Sequence, residues 1–426
     1  MRTSSSIHEL ELMRKLMNGL MSTAPAALAL MLASCSSLKD NSAPPDGLQC
    51  ASVVNGGGDA ASLQQALGNA KAGSCVLVVT QTYSGNFTVP AGVTLASGQG
   101  SRAVFTGTDA TKPAIDVAGD ARSGVWNVDV NGSAQVGIAV RNGAAHIENV
   151  NVSGAASAAI AALCTDSASC HDGAHVVELD DVHLVGNSIG LWSKGADILM
   201  SGGEASQNTS QTLSGGDGIV VFGGAHVTLD GTDVVGNDQV GVLIDDQAGS
   251  GTNGDFKSVN VAQNGARGIW AQHLNGTLAA PALTIEGAST ITANKLVGLG
   301  GTESHGIIFV GGKIEGTVAT PIVTDLGDQE QVGDGFGMFS NCGDVKFDSV
   351  EISGSARAAG LVDTASGVII FVGGTVAAGP SDLKIVVQHT SAANAAALQI
   401  PSETQTSSAV LGFSAPQIAV ASVLAP

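Results

Sequence analysis

Aromatic side chains are scarce: tyrosine occurs once, tryptophan three times, and rings make up 3% of the 426 residues. A layered domain leans on such rings for its core, so this interior must be filled with smaller aliphatics. Basic residues are scarce as well, with 17 Lys and Arg against 37 Asp and Glu and a formal net charge of −20. That balance excludes a general nucleic-acid binder, because no basic stripe exists to displace counterions. It also makes polyanionic polymers less natural ligands unless a local basic cleft or bound cations intervene. Helical periodicity is almost missing, and no apolar run in the body approaches the roughly 20 residues a membrane-spanning helix needs.

Glycine is abundant, at 58 residues, and 44% of the chain is hydrophobic. Sustained Val/Ile/Leu alternation at that level excludes a disordered low-complexity chain. Asp217 to Asn237 reads as a short apolar strand, a Gly-Gly turn, an alternating strand and a Gly-Asn turn. Related stretches begin at Gly137, Gly195 and Phe336, and a Gly-aliphatic pair recurs at Gly137, Gly190, Gly218, Gly241, Gly268, Gly306, Gly337 and Gly360. Such a repeat marks a stacked solenoid whose units bury their apolar faces only against neighbours. The expected fold is all-β, a single-stranded right-handed parallel β-helix with rungs roughly 4.8 Å apart. Residues 50–390 form its body and 391–426 are irregular strands or a tail.

Ser62–Ala70 is the one helical pattern in the body, with Leu63, Ala66, Leu67 and Ala70 on one face. This helix, the strand after it, a Gly-Asn turn and TVPAGVTLAS resemble the entry of pectin-lyase-like β-helix proteins. The resemblance implies that the helix plugs the first coil, where apolar core and strand edges would otherwise lie bare. It runs from about Leu63 to Val387. It specifies architecture rather than chemistry, since that fold hosts lyases, hydrolases, epimerases and adhesins.

Residues 1–34 have the form of an export signal, with Arg14 and Lys15 ahead of an apolar Ala26–Leu32. Glu9 and Glu11 are unusual there, and translation from Met13 would remove them. Leu32-Ala33-Ser34-Cys35 resembles the lipobox of bacterial lipoproteins, which implies acylation of Cys35 and anchorage through two or three chains. An ordinary secretory signal with a free Cys35 thiol is the alternative. Ser36 after the cysteine implies outer-membrane sorting, and residues 35–49 are then a lipidated tether. In an oxidising envelope the remaining cysteines are expected to pair as Cys50–Cys75 and Cys164–Cys170, leaving Cys342 over.

Three constellations bear on chemistry. Polygalacturonases carry Asn-Thr-Asp, Asp-Asp, Gly-His-Gly and Arg-Ile-Lys motifs on successive rungs, and this sequence resembles them only in part. Asp217 stands at the first motif, Asn237-Asp238 at the second, and Arg267 where the histidine belongs, while His305 comes a rung late. Inverting hydrolysis needs a protonated acid opposite a base, and Asn237 cannot serve. These four are therefore weak catalytic candidates.

A second column, His146, His175, Asp197 and His226, would bind a divalent metal if it stacked, though Gly-Ala-His is also a plain turn spelling. No cofactor is otherwise expected. The third column follows the Gly-aliphatic pair: Trp192, Val220, Leu243, Trp270, Ile308 and Phe339 should face outward. Such an apolar stripe is a glycan ridge, a partner face, or the floor beneath loops and the C-terminal tail. The reading is an outer-membrane lipoprotein that binds or scaffolds a surface polysaccharide or envelope protein, anchored in the membrane and touching no nucleic acid. The alternative is a polysaccharide lyase or glycoside hydrolase of the same fold.

Overall fold

The computed structural model describes residues 43–100, 102–120, 122–132, 135–165, 175–209, 215–323, 329–380 and 382–390, together with 398–399, 405–406, 418, 420 and 423. Among these, no helix is long and apolar enough to cross a membrane. The chain winds into coils whose strands pair in parallel with the coils before and after. Each full coil contributes two segments to one long kinked sheet and one segment to a second sheet. The kink is a single residue of positive φ, Asn149 (50°) in one coil and Asp181 (51°) in the next. Asn and Asp tolerate that left-handed conformation, so the chain corners there without breaking the ladder.

The Gly-aliphatic pair proves to be a stacked bulge. Ile189 pairs with Asp217 and Leu191 with Ile219, so the register skips the glycine between. A Cβ at Gly218 would lie 2.6 Å from the Gly241 carbonyl oxygen and 2.6 Å from Val234 Cγ1 in the core. The missing side chain and Ile219 therefore both turn inward, which leaves Asp217 and Val220 together on the outer face. Only glycine fits this position.

A second device fixes the turn between the sheets. Asn187, Asn208, Asn237, Asn264 and Asn294 are all buried and stack rung on rung. Asn237 Oδ1 accepts from Asn208 N (3.1 Å) and Asn208 Nδ2 (2.7 Å), and its own Nδ2 donates to Asn264 Oδ1 (2.9 Å) and Ala205 O (3.0 Å). Every polar atom of the buried amide is thereby satisfied.

The expected helix forms over Ala60–Asn69, with Asp59 capping Ser62 N at 2.8 Å and Leu63 and Leu67 buried over the first coil. The two ends of the body carry further detail. Residues 43–49 do not stand free: Gln99 N donates to Ala43 O (2.9 Å), Gln99 Nε2 to Asp46 Oδ1 (3.0 Å), and Leu48 packs beside Trp126. Beyond 390, in the stretch expected as irregular strands or a tail, Gln405 and Thr406 pair with Ile385 and Val386.

Candidate functional site

The outer face of the second sheet gathers most of the residues singled out by sequence. Trp192 pairs with Val220, Val220 with Leu243 and Leu243 with Trp270, one unbroken outward column. The column is not an open ridge. Trp192 and Trp270 are fully buried, and Ile322, Ile418, Val420 and Val423 pack over the face. Of the three roles open to the stripe, the geometry is that of a floor. Ile308 lies elsewhere, on the kinked sheet between Thr284 and Lys346. Phe339 is on the covered face but one outward column over, opposite Thr302. Trp270 and Phe339 meet at 6.0 Å between centroids, in room left by Gly300 and Gly337.

Asp217 and Arg267 share this face. Burial pushes the Asp217 carboxyl up to about 6, partly opposed by the Val240 N–H and by Arg267. Burial likewise lowers Arg267 to about 10. The Arg267 guanidinium lies 4.3 Å over the Trp270 ring, a cation–π contact. The other two catalytic candidates are not with them. Asp238 is exposed in the turn beside the asparagine ladder, and Asn237 is spent inside it. His305 begins a strand of the kinked sheet, its Nδ1 3.9 Å from Asp344 Oδ2. No polygalacturonase-like constellation assembles.

The expected metal column does not stack either. Asp197 pairs with Val176 rather than His175, and the partner of His146 is Glu178. His226 does follow Asp197, donating its backbone N–H to Asp197 Oδ1 at 2.8 Å. His146 instead meets two acids the sequence reading passed over. Its Nε2 is 2.9 Å from Asp180 Oδ2 and 3.3 Å from Glu148 Oε2. Desolvation raises the Glu148 carboxyl; His146 lowers it, while Asp180 and Asp181 raise it further. One atom from each of His146, Glu148 and Asp180 could grip a cation, half-exposed on the open face. Trp126 sits edge-on to His146 at 5.0 Å, in the wall of a cleft of about 280 Å³ shared with Leu48, Gln49 and Arg122.

That open face carries polar columns beside apolar residues such as Ile308 and Val310. One outward column of the kinked sheet runs Asp129, Asn151, His183, Glu204, Asp233, Asn260, successive members pairing rung to rung. Neighbours in it bond directly: Asn151 to Asp129 (2.8 Å), His183 Nδ1 to Glu204 Oε1 (3.0 Å) and Asn260 to Asp233 (2.9 Å). The signal was the outward half of each alternating strand, and four of the five ladder asparagines were visible three or four residues ahead of the glycine beat, Asn208 lying ten ahead of Gly218.

Among the cysteines, Cys50 and Cys75 form the expected disulfide, with Cα atoms 5.5 Å apart. Cys164 is disulfide-bonded. Its expected partner Cys170 and the acylation candidate Cys35 lie outside the described residues. Cys342 is free and buried, and desolvation pushes its thiol up to about 12.

No curated protein matches the sequence. Several solved structures are similar in shape at low identity. The Dettilon tailspike protein (gp208) is 13% identical with a TM-score of 0.47, over 83% of this chain and 70% of its own. A periplasmic alginate epimerase is 10% identical with a TM-score of 0.46, over 80% and 83%. The pectate lyase Pel9A is 14% identical with a TM-score of 0.44, over 78% and 80%. The family described as a right handed beta helix region matches residues 113–315. Parallel coil-on-coil pairing, together with that match over residues 113–315, identifies the fold as a right-handed parallel β-helix.

Proposed function

We propose that the chain is an envelope lipoprotein, held in the outer membrane through an acylated Cys35, whose body binds a surface polysaccharide without transforming it. The observation that carries this reading is the open ladder from Asp129 to Asn260, in which carboxylates and amides recur at rung spacing, with one imidazole among them, on the open face. A hydroxyl-rich polymer laid along the helix axis would meet similar donors and acceptors on every rung. The acids on this face favour a neutral polymer, or one bridged by cations at His146, Glu148 and Asp180.

Affinity electrophoresis of the body in gels cast with neutral and acidic polysaccharides tests the binding. Retardation by a neutral polymer that disappears in a Glu204→Ala, Asp233→Ala double variant supports it; equal mobility in every gel refutes it. Acyl labelling that persists in Cys35→Ser would refute the anchor.

The second reading is a lyase or glycoside hydrolase. What favours it is Asp217, a carboxyl lifted by burial to about 6 on the same face as Arg267, two rungs away. New reducing ends or unsaturated uronates released from any polymer of the panel would establish it over the first.

A further inference from the structure

Among the described residues, Arg267 is the one buried charged side chain that makes no side-chain hydrogen bond or ion pair. Only 6% of its surface reaches solvent, and its Nε is buried without a partner. The reason lies in the register. Arg267 pairs with Val240 on one side and Val297 on the other, so neither adjacent rung offers an acid. Asp217 stands beyond Val240 and Asp334 beyond Val297, each two rungs or roughly 10 Å away along the sheet.

Asp334 is already taken. Arg357 Nε donates to its Oδ1 at 2.9 Å and a second guanidinium nitrogen reaches Oδ2. The same face therefore holds one arginine gripping a carboxylate with two donors and one whose fork makes no hydrogen bond. An uncompensated buried charge is costly, and the Trp270 ring offsets that only in part.

We propose that Arg267 anchors an oxyanion-binding subsite on the second sheet, taking a carboxylate or sulfate ester from a small ligand or one unit of a polymer. A planar guanidinium seated 4.3 Å over an indole, with its Nε unpartnered, keeps the fork of donors that bidentate oxyanion recognition needs. Arg267 remains charged at neutral pH, since burial lowers it only to about 10. The subsite is separate from the polar ladder of the kinked sheet and stands whether or not that ladder binds a polymer.

Titration calorimetry of the full chain with acetate, sulfate and glucuronate at constant ionic strength, with tryptophan emission followed in parallel, tests the assignment. Saturable one-site binding is expected, weakened at least tenfold in Arg267→Gln and unchanged in Lys71→Gln. Arg267→Lys keeps the charge without the fork and is expected to bind at least threefold more weakly, a decisive variant even if Arg267→Gln fails to fold. Equal binding of all three anions supports a bare oxyanion site, and a preference for glucuronate supports a saccharide-bearing ligand. No saturable binding of any anion, equal loss in Lys71→Gln, or unchanged affinity in Arg267→Lys overturns it.

Discussion

Gln272 and Ile418, 146 residues apart in the chain, exchange two hydrogen bonds: Gln272 Nε2 donates to Ile418 O at 2.8 Å, and Ile418 N donates to Gln272 Oε1 at 3.0 Å. A single side-chain amide thus does what a strand edge does, pairing both backbone groups of one residue. Trp270 Nε1 donates to the same oxygen at 3.3 Å, tying the covered indole to its cover.

Replacing Gln272 with Ala should therefore loosen the cover rather than the coil. The expected cost is about 1–3 kcal/mol, from three lost bonds and a stranded backbone pair. Tryptophan emission should shift to the red and an apolar dye should bind, while far-ultraviolet dichroism stays the same.

The asparagine ladder should be far less forgiving than the surface beside it. Asn237→Ala leaves donors on Asn208 unmet and removes two more bonds, an expected loss of roughly 2–4 kcal/mol in urea unfolding. Asp238→Ala, one residue along and exposed, should change little.

Asp217 gives stability a pH signature. Its folded pKa of about 6 lies above the ordinary 3.8, so the folded state holds its proton more tightly than the unfolded state does. Stability from this group is full below about pH 4 and falls as pH rises to about 6, by up to about 3 kcal/mol at 1.36 kcal/mol per unit. Subtracting the Asp217→Asn profile from that of the native sequence should isolate this decline, and parallel profiles would contradict it.

Glycine at the bulge is a steric requirement. Gly241→Ala would put a Cβ 2.6 Å from Gly268 O and 2.7 Å from Val261 Cγ1, whereas Gly58→Ala meets nothing within 4 Å. The first should cost several kcal/mol or prevent folding, in keeping with overpacked cores, and the second should leave the unfolding midpoint within experimental scatter.

The fold was legible because the bulge writes itself into the sequence: each coil needs a glycine followed by an inward aliphatic at one position. The same signal explains the errors. Gly306-Ile307 has the right spelling but belongs to the kinked sheet, while the bulge of that coil is Gly298, followed by Leu299. At the next coil the inward residue is Phe336, so counting from Gly337 placed Phe339 in the wrong column. Exposure was not legible at all. Alternation tells which side of a strand a residue faces, and it took Ile418, Val420 and Val423 to turn that outside into an inside. Likewise, His146, Glu148 and Asp180 meet only because two alternating strands stack in register, which no local pattern states.

Because the N-terminal segment is fastened to Gln99 from Ala43 onward, little slack remains ahead of it. Seven residues lie between Cys35 and Ala43, and the eight steps make a leash of at most roughly 26–29 Å when drawn taut. An acylated Cys35 would hold the first coils close above the lipid headgroups, and Trp126 with its cleft would hover beside the bilayer.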